Sequence, residues 1–436
     1  MQPLTRQAAS ARITAFMLAI RTYLFLLGVL LILSCRPESR GDATIEFWTL
    51  QLSPAFDGYV KGVIEAFESR HPGVAVRWMD VPFEGITQKY LSAIASGNAP
   101  DVINLPGDYV RKYAKLEALT EVDSLVPDSI WHSYLPASMK SLTVGERIYG
   151  VPWYLATKIM IFDRQKIAVA GFNPDSIPRT FDELLRFAES YHRRTGSFAF
   201  FYNLVVDSYL YQVLVSEGVP LISSDGRAAS FASPEGIRVL QRWAEVFRSG
   251  AMPRECLFEG HQGGIATFQS GTVALFVGAP QFLRIIRENA PNIYARTGVA
   301  PSVAGRTGKT ELDVMCLVLS SQCRNPRLAA EFSTFVTNAE NQLRFSHLVP
   351  VFPSVRSAFN DPFFRQEDGT LESRARTIGA RQIAHSEVLK PSLNEYQRLN
   401  NIFKDEMLRA FLGRASVSDA LRAAERQWTK ILQEDQ

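Results

Sequence analysis

The chain has 436 residues, 46% of them apolar, which is more than a single hydrophobic core usually organises, so two domains are expected. Its 47 basic and 44 acidic residues give a formal net charge of +3. Arg6, Arg12 and Arg21 are the only charges before Cys35, so the rest of the chain is neutral overall. This balance argues against nucleic acid as a partner, because such binding requires an excess of basic groups.

The first 35 residues are predicted to be a targeting segment. Three arginines precede the apolar run Tyr23–Leu33, which is shorter than the roughly 20 residues that span a bilayer core. The end of this run, Ile32–Cys35, resembles a bacterial lipobox, which implies a signal peptide over 1–35, lipidation at Cys35 and a polar tether over 36–43. The alternative is a signal anchor that extends from Ile13 through Arg21, with Cys35 incidental.

From Thr44 onwards, strand and helix patterns alternate, which is typical of a parallel sheet. The first helix of this region is expected to stop at His71-Pro72-Gly73. The predicted strands are Thr44–Thr49, Val74–Asp80 and Val102–Leu105, and the predicted helices are Tyr59–Phe67 and Ile86–Ala95.

A second α/β pattern follows the segment Tyr149–Lys158, which reads YGVPWYLATK. Its predicted strands are 158–163 and 198–202, and its predicted helices are 181–194, 209–217 and a helix that begins at Pro234. Later apolar runs predict strands over 271–280 and 312–319 and a helix over 326–336. A stripe of Val417, Leu421, Ala424, Trp428 and Ile431 predicts an amphipathic helix near the C-terminus.

The cysteines do not form a complete disulfide framework. Beyond Cys35 the chain contains only Cys256, Cys316 and Cys323. Cys316 and Cys323 could pair if the chain folds back between them, but unpaired thiols are the expected state.

Five short stretches, taken together in their order and spacing, resemble the extracellular solute-binding proteins of ABC transporters, family 1, which includes maltose-binding and other sugar-binding proteins. The stretches are SGNAPDVIN at 96–104, YGVPWY at 149–154, FQSGTVALFVGAP at 268–280, NPRLAAEFSTFV at 325–336 and LVPVFPSV at 348–355. The likeness covers the chain after the tether.

The resemblance implies an α/β fold of the periplasmic-binding-protein type, in which two α/β lobes are joined by a three-strand hinge. The implied first lobe comprises 44–150 plus 272–315, and the second comprises 155–270 plus 320–436. The crossings are expected at YGVPWYLATK, near Gly271 and near Leu319. The resemblance further implies a monomer without a cofactor that binds a small solute, such as a sugar, and docks on an ABC permease from the periplasmic or extracellular face of the membrane.

The chain departs from the family pattern around the hinge. Family members often have an acidic residue after the YGVPW-like stretch, where this chain has Leu155–Lys158, and a Gly-x-Trp after the return strand, where it has Gln281. These departures leave open a glycerol phosphate or another small polar solute as the ligand. A surface lipoprotein that acts as an enzyme or signalling receptor without a permease is also left open.

Aromatic and planar polar side chains near strand ends are the candidate ligand contacts, since a sugar presents hydroxyls on its rim and an apolar C–H face. Trp153 and Tyr154, at the first crossing, are the leading candidates. The other candidates are Trp48, Gln51, Asp108, Tyr202, Asn203, Tyr209 and Gln281.

Several candidates have an equally ordinary structural interpretation. Trp48 could be core packing, Asp108 could cap the helix that follows it, and Gln281 could be a solvated residue in the first turn of a helix. Trp243 and Trp428 are interpreted as packing residues because they lie on helices away from any strand end.

Signatures of enzymes and metal sites are absent from the sequence. The stretch GRTGKT at 305–310 has Val303 where a phosphate loop requires Gly, and it precedes a strand that it should follow. The histidines lack zinc-ligand spacing, so no metal site is expected, and no GxSxG motif occurs. Paired carboxylates for glycoside hydrolysis depend on distances in the fold and stay open.

Overall fold

The structure is a computed structural model that describes residues 43–206, 209–391, 393 and 395–434. The predicted signal peptide, Cys35 and all but the last residue of the predicted tether lie outside these residues. The strands, in chain order, are β1 Ala43–Leu50, β2 Val74–Val81, β3 Val102–Pro106, β4 Thr143–Val144, β5 Arg147–Ile148, β6 Val151–Thr157, β7 Ile159–Asp163, β8 Phe198–Phe201, β9 Val273–Gly278, β10 Thr297–Pro301, β11 Thr310–Leu319, β12 Phe352–Pro353 and β13 Ser386–Glu387.

The strands form two main sheets, one in each lobe. The first sheet has the order β12-β6-β11-β3-β1-β2, with β13 beside β11, and the second has the order β10-β7-β9-β8. In the first sheet β1 pairs in parallel with both β2 and β3, as the alternating strand and helix patterns predicted. The fold class predicted from the sequence, two α/β lobes of the periplasmic-binding-protein type, is confirmed.

Helices cover the sheets of both lobes. In chain order they are α1 Asp57–Arg70, α2 Ile86–Ala95, α3 Val110–Lys115, α4 Asp128–Trp131, α5 Pro136–Met139, α6 Arg164–Val169, α7 Phe181–Thr195, α8 Tyr209–Ser216, α9 Pro234–Arg248, α10 Glu255–Phe258, α11 His261–Gln269, α12 Phe282–Asn289, α13 Pro291–Tyr294, α14 Pro326–Val336, α15 Ala339–Leu348, α16 Leu371–Ile383, α17 Tyr396–Phe411 and α18 Val417–Glu434.

Local sequence signals explain where several helices begin. Thr180 and Glu183 form a capping box at the start of α7, in which each side chain accepts a hydrogen bond from the backbone N–H of the other residue. Ser233 caps α9, and Pro234 occupies its first turn, where a missing N–H costs nothing. Both starts match the sequence prediction.

The first sheet is buried on both faces. Alternate residues of β1 enter different clusters, since Ile45 and Phe47 pack with α1 and α14 on one face, while Trp48 and Leu50 pack with α2 and α3 on the other. Burial on both faces explains why its central strands read as continuous apolar runs.

The second lobe has one core cluster, which includes the C-terminal helices. All five residues of the predicted C-terminal stripe are buried in α18, and Trp428 Nε1 donates a hydrogen bond to the carbonyl of Leu399 at 2.7 Å. Trp243 and Trp428 are core residues, as predicted. Cys256, Cys316 and Cys323 are unpaired thiols.

The first crossing lies where the sequence predicted it, because Thr157 ends β6 of the first sheet and Ile159 begins β7 of the second. The other two crossings were predicted at the wrong places. The chain returns to the first sheet between β10 and β11, at 302–309, and leaves it again between β13 and α17, at 388–395.

The predicted lobe bounds are therefore wrong for two segments. β9 and β10 lie in the second sheet although 272–315 was predicted to be in the first lobe, and α14 and α15 pack in the first lobe although 320–436 was predicted to be in the second. For β9 the physical reason is that a fully buried apolar strand fits the centre of either sheet, so its sequence does not indicate its neighbours.

Candidate functional site

A cleft of about 570 Å³ lies between the lobes, and its wall includes residues of the first and third crossings and of the strand that follows the second. Lys158 comes from the first crossing, Glu311 and Asp313 come from the strand that follows the second, and Val388 and Lys390 come from the third. The first lobe adds the turn 106–109 after β3. The cleft is therefore placed where relative movement of the lobes would change its width.

Helix starts of the second lobe form the opposite wall. The first residues of α8, α11, α12 and α17 line the cleft; they are Tyr209, His261, Phe282 and Tyr396. The N–H groups in the first turn of a helix have no partner within the helix and carry a partial positive charge. At α12, however, the N–H groups of Phe282 and Leu283 already donate to backbone carbonyls. The wall therefore contributes mainly polar side chains, among them Tyr209 and Gln281, whereas the first lobe supplies the carboxylates of Asp108, Glu311 and Asp313.

Lys158, Glu311, Asp313 and Lys390 form a group of charges that we call the hinge cluster. Asp313 Oδ2 lies 3.5 Å from Lys158 Nζ, and Asp313 Oδ1 lies 3.4 Å from Lys390 Nζ. One carboxylate on the strand after the second crossing therefore contacts ammonium groups from the first and third crossings. The side chain of Asp313 is 40% exposed to the cleft, while that of Lys158 is only 12% exposed.

The charged state of this triad is stable. Burial alone would raise the pKa of Asp313, but Lys158 and Lys390 outweigh that effect and lower the pKa to about 2. Burial alone would lower the pKa of each lysine, but Asp313 outweighs that effect and holds both pKa values above their usual range. All three groups are therefore ionised at neutral pH.

Glu311 differs from Asp313 although it lies two residues away on the same strand. Its Oε2 accepts a hydrogen bond from the backbone N–H of Leu389 at 3.1 Å, while its Oε1 is buried without a hydrogen-bond partner among the described residues. Burial, followed by repulsion from Asp313, raises the pKa of Glu311 to about 7. The hinge cluster thus contains one carboxyl that titrates near neutral pH.

Gln382, near the end of α16, joins two of the crossings. Its Nε2 donates hydrogen bonds to Thr157 Oγ1 at 2.9 Å and to the carbonyl of Lys158 at 2.7 Å. Its Oε1 accepts a hydrogen bond from the backbone N–H of Ser302 at 2.8 Å. A single amide therefore fixes the first crossing relative to the second.

Aromatic rings from both lobes reach the cleft. Phe83 of the first lobe is 41% exposed, and in the second lobe the rings of His261 and Phe282 stack in parallel with centroids 5.6 Å apart. Lys158 Nζ lies 4.5 Å from the centre of the Tyr209 ring. The cleft therefore offers apolar faces beside its charged and polar groups.

Three of the sequence-predicted site residues line the cleft. Asp108 follows β3 and lies near Lys390, and burial raises its pKa. No side chain caps the helix after Asp108, so the interpretation of Asp108 as a helix cap has no support. Tyr209 and Gln281 lie on the second-lobe wall, and Gln281 Oε1 is buried without a hydrogen-bond partner among the described residues.

The remaining predicted residues do not line the cleft. Trp153, Tyr154 and Tyr59 pack around Phe345 in the first lobe, a group that we call the aromatic core, and Trp153 stacks on Phe345 with ring centroids 5.7 Å apart. Trp48, Tyr202 and Asn203 are buried in the lobes, and Gln51 is exposed after β1 with a φ of 51°.

The hinge cluster and Gln382 were missed by the sequence analysis. Lys158 was read only as part of a departure from the family pattern, and Lys390 and Gln382 were not considered. Their separation along the chain hides their proximity, since Lys158 and Asp313 are 155 positions apart. The alternation of Glu311 and Asp313 within an apolar run was the one available signal, because charges at such positions are rarely buried without partners.

No group of three or more His, Cys, Asp or Glu side chains within the described part of the chain is arranged to hold a metal ion. None of the helices in the described ranges is both long enough and apolar enough to cross a membrane.

Comparison with known proteins gives a consistent set of similarities. The family described as bacterial extracellular solute-binding protein matches residues 52–343. A crystal structure from Synechococcus sp. MITs9220, assigned as an oligosaccharide periplasmic-binding protein and solved with zinc, has a TM-score of 0.82 and 31% identity, and the alignment covers 89% of this chain and 99% of that one.

Two further relatives are more distant in sequence. The galactooligosaccharide-binding protein of Bacillus subtilis is 23% identical, with 70% of this chain and 71% of that protein covered. An uncharacterized lipoprotein of Streptomyces antibioticus is also 23% identical, with 77% of this chain and 76% of that protein covered.

Proposed function

The chain belongs to the family of bacterial extracellular solute-binding proteins, and from this premise we propose that it is the receptor of an ABC importer for a carbohydrate. The observation that carries the proposal is the cleft of about 570 Å³ that is bounded by both lobes at the hinge. A solute that contacts both walls binds the closed form better than the open form and shifts the population towards closure.

The contacts of Asp313 favour a neutral solute over a phosphate ester, in a cleft whose three lysines, Lys404 included, formally balance its three carboxyls. Lys158 and Lys390 already contact Asp313, and Asp108 and Glu311 add two further carboxyls beside them. A phosphate would have to displace Asp313 from both lysines and approach the other acidic groups. A glycerol phosphate is therefore the weaker of the two ligands that the sequence left open.

The chemistry of the walls fits a chain of sugar units. A sugar hydroxyl can donate to a carboxylate of the first lobe and accept from a polar side chain of the second-lobe wall, such as the amide of Gln281. The rings of Phe83 and Phe282 offer surfaces for the C–H faces of the sugar. We therefore assign Asp108, Tyr209, Gln281, Phe83 and Phe282 to ligand binding, and the predicted Trp153 and Tyr154 to packing.

Attachment to the membrane through Cys35 is part of the proposal. Similarity to a Streptomyces lipoprotein supports it. The substitution Cys35→Ala is expected to abolish acyl labelling and to release the protein from the membrane fraction, and a variant that still incorporates palmitate would contradict the anchor. The receptor is expected to act as a monomer that docks on permease subunits and returns its ligand chemically unchanged.

Calorimetric titration with a panel of oligosaccharides, polyols and glycerol phosphate tests the function. We expect an oligosaccharide to bind and to be recovered intact by mass spectrometry. It should bind about five- to thirtyfold more weakly to Gln281→Ala, since a buried amide that pairs with the ligand is worth roughly 1–2 kcal/mol. Gln269→Ala on the adjacent helix α11, outside the cleft lining, is the control. Binding of glycerol phosphate alone, or hydrolysis of the sugar, would contradict the proposal.

A further inference from the structure

A second pocket, of about 430 Å³, lies on the first lobe. It is formed by the last turn of α16, by the short helices Arg356–Asn360 and Pro362–Phe364, and by Leu135. The described residues that line it are all different from those that line the cleft. It is therefore a separate site, and the proposed import of a solute assigns it no role.

The floor and walls of this pocket are apolar. Phe364 and Ile383 are 1% and 5% exposed at its base, and Leu135, Phe359 and Ala380 surround them. Together these side chains would remove an alkyl or aryl group of several carbons from water, which is favourable in proportion to the apolar area buried.

Three exposed arginines line the same pocket, and no acidic residue does. Arg356 Nε donates to the carbonyl of Tyr134 at 3.1 Å, and Arg365 donates to the carbonyl of Asn360. Neither forms an ion pair with a carboxylate of the described residues. The side chain of Arg381 forms no hydrogen bond or ion pair with any of those residues. Positive charge that no side chain neutralises therefore borders an apolar floor, and we call this site the arginine-rimmed pocket.

We propose that the arginine-rimmed pocket binds an amphiphilic anion, a small molecule with an alkyl or aryl chain and one carboxylate. The planar guanidinium group matches a carboxylate through two parallel hydrogen bonds, and the chain would lie on Phe364 and Ile383. The volume falls within the range of about 300–1,000 Å³ that small-molecule sites occupy. A neutral carbohydrate lacks both the chain and the charge, so the two sites select different molecules.

Calorimetric titration of the purified protein with octanoate tests the proposal. Octyltrimethylammonium, which has the same chain length and the opposite charge, is the comparison ligand. Octanoate is expected to bind, and the cation is not. Arg381→Gln should weaken the binding of octanoate about fivefold, the upper range for one exposed ion pair. Replacing Arg356, Arg365 and Arg381 together by Gln should abolish it. Arg374→Gln, exposed on the same helix but outside the pocket, should leave it unchanged.

A second variant separates loss of the site from loss of the fold. Ala384 is exposed and lines the pocket, so Ala384→Phe should block octanoate while carbohydrate titration of the cleft stays unchanged. Binding of octyltrimethylammonium as tight as that of octanoate would overturn the proposal. Octanoate binding that survives in the three-arginine variant would overturn it as well, because the anion would then occupy another place.

Discussion

The aromatic core and the hinge cluster meet on a single segment, YGVPWYLATK, and the structure uses them in opposite ways. Trp153 is 1% exposed and packs on Phe345, whereas Lys158, at the end of the same segment, lines the cleft and contacts Asp313. The aromatic residues that look most like a sugar platform serve the stability of one lobe. The charged residues around Lys158 join the crossings between the lobes, so stability and ligand response are expected to separate along this segment.

Removal of Trp153 should have the largest effect on stability. Trp153→Ala leaves a cavity beside Phe345 and is expected to lower the free energy of unfolding by about 3–5 kcal/mol. Thermal and urea unfolding measure the loss, and the affinity of the remaining folded protein for its carbohydrate should be nearly unchanged.

Phe83→Ala is the matched aromatic control from the exposed wall of the cleft. It is expected to change stability by about 0.5 kcal/mol or less, as exposed positions generally do, and to weaken carbohydrate binding. If Trp153→Ala lost binding while Phe83→Ala did not, the roles assigned to the two regions would be reversed.

Loss of the Asp313 contacts should have the second largest effect on stability. Asp313→Asn leaves Lys158 and Lys390 without their carboxylate, and since Asp313 is 40% exposed the expected loss is only about 1–3 kcal/mol rather than the value for a fully buried pair. Glu387→Gln removes the partner of Lys309, which is 43% exposed whereas Lys158 is 12% exposed, so it should cost about 0.5 kcal/mol or less. Equal losses in urea unfolding of the two variants would show that the hinge cluster is an ordinary surface ion pair.

Gln382→Ala should loosen the hinge with a smaller cost, about 1–2 kcal/mol, because three hydrogen bonds are lost but water can reach part of the site. Hydrogen exchange should accelerate at the Ser302 amide, which loses its acceptor. Gln382→Glu retains that acceptor and should protect Ser302 better than Gln382→Ala does. Unchanged exchange at Ser302 in Gln382→Ala would contradict the role assigned to this amide.

The contribution of Glu311 should be visible as a dependence of stability on pH. Its pKa is about 7 in the folded protein against an ordinary value of 4.5, so between these values the folded state keeps a proton that the unfolded chain releases. This group therefore lowers stability as pH rises from about 4.5 to 7. Asp313 acts in the opposite sense and lower down, since the stability that its pKa of about 2 provides is lost as pH falls below about 4.

Glu311→Gln removes the first of these two contributions. The variant and the original protein should have similar thermal midpoints near pH 4, and the variant should become the more stable of the two by pH 8. A midpoint difference that stays constant across this range would show that Glu311 does not titrate near neutral pH.

The elements of both lobes could be predicted because their signals are local. The helix Ile86–Ala95 and the helix Pro326–Val336 have the predicted bounds, and the helices capped by Thr180 and Ser233 begin where the sequence predicted. Which sheet β9 joins could not be predicted, because Val273–Gly278 is apolar on both faces and would fit either one.

The site was harder to predict than the fold. Asp108, Tyr209 and Gln281 were found because each follows the end of a strand or begins a helix at the edge of a sheet. Trp153 was also predicted to lie at the cleft, because it belongs to the segment that crosses between the lobes, but its ring packs in the core of the first lobe. The Lys158, Asp313 and Lys390 contacts depend on three crossings of which only one was located from the sequence, so no reading of neighbouring residues could bring them together.

Small-angle X-ray scattering with and without the oligosaccharide identified by calorimetry tests most directly whether the cleft is a closing receptor site. The account predicts that the radius of gyration falls on saturation, because the lobes rotate about the crossings that Asp313 and Gln382 hold together. Saturated binding with an unchanged radius of gyration would contradict closure about this hinge.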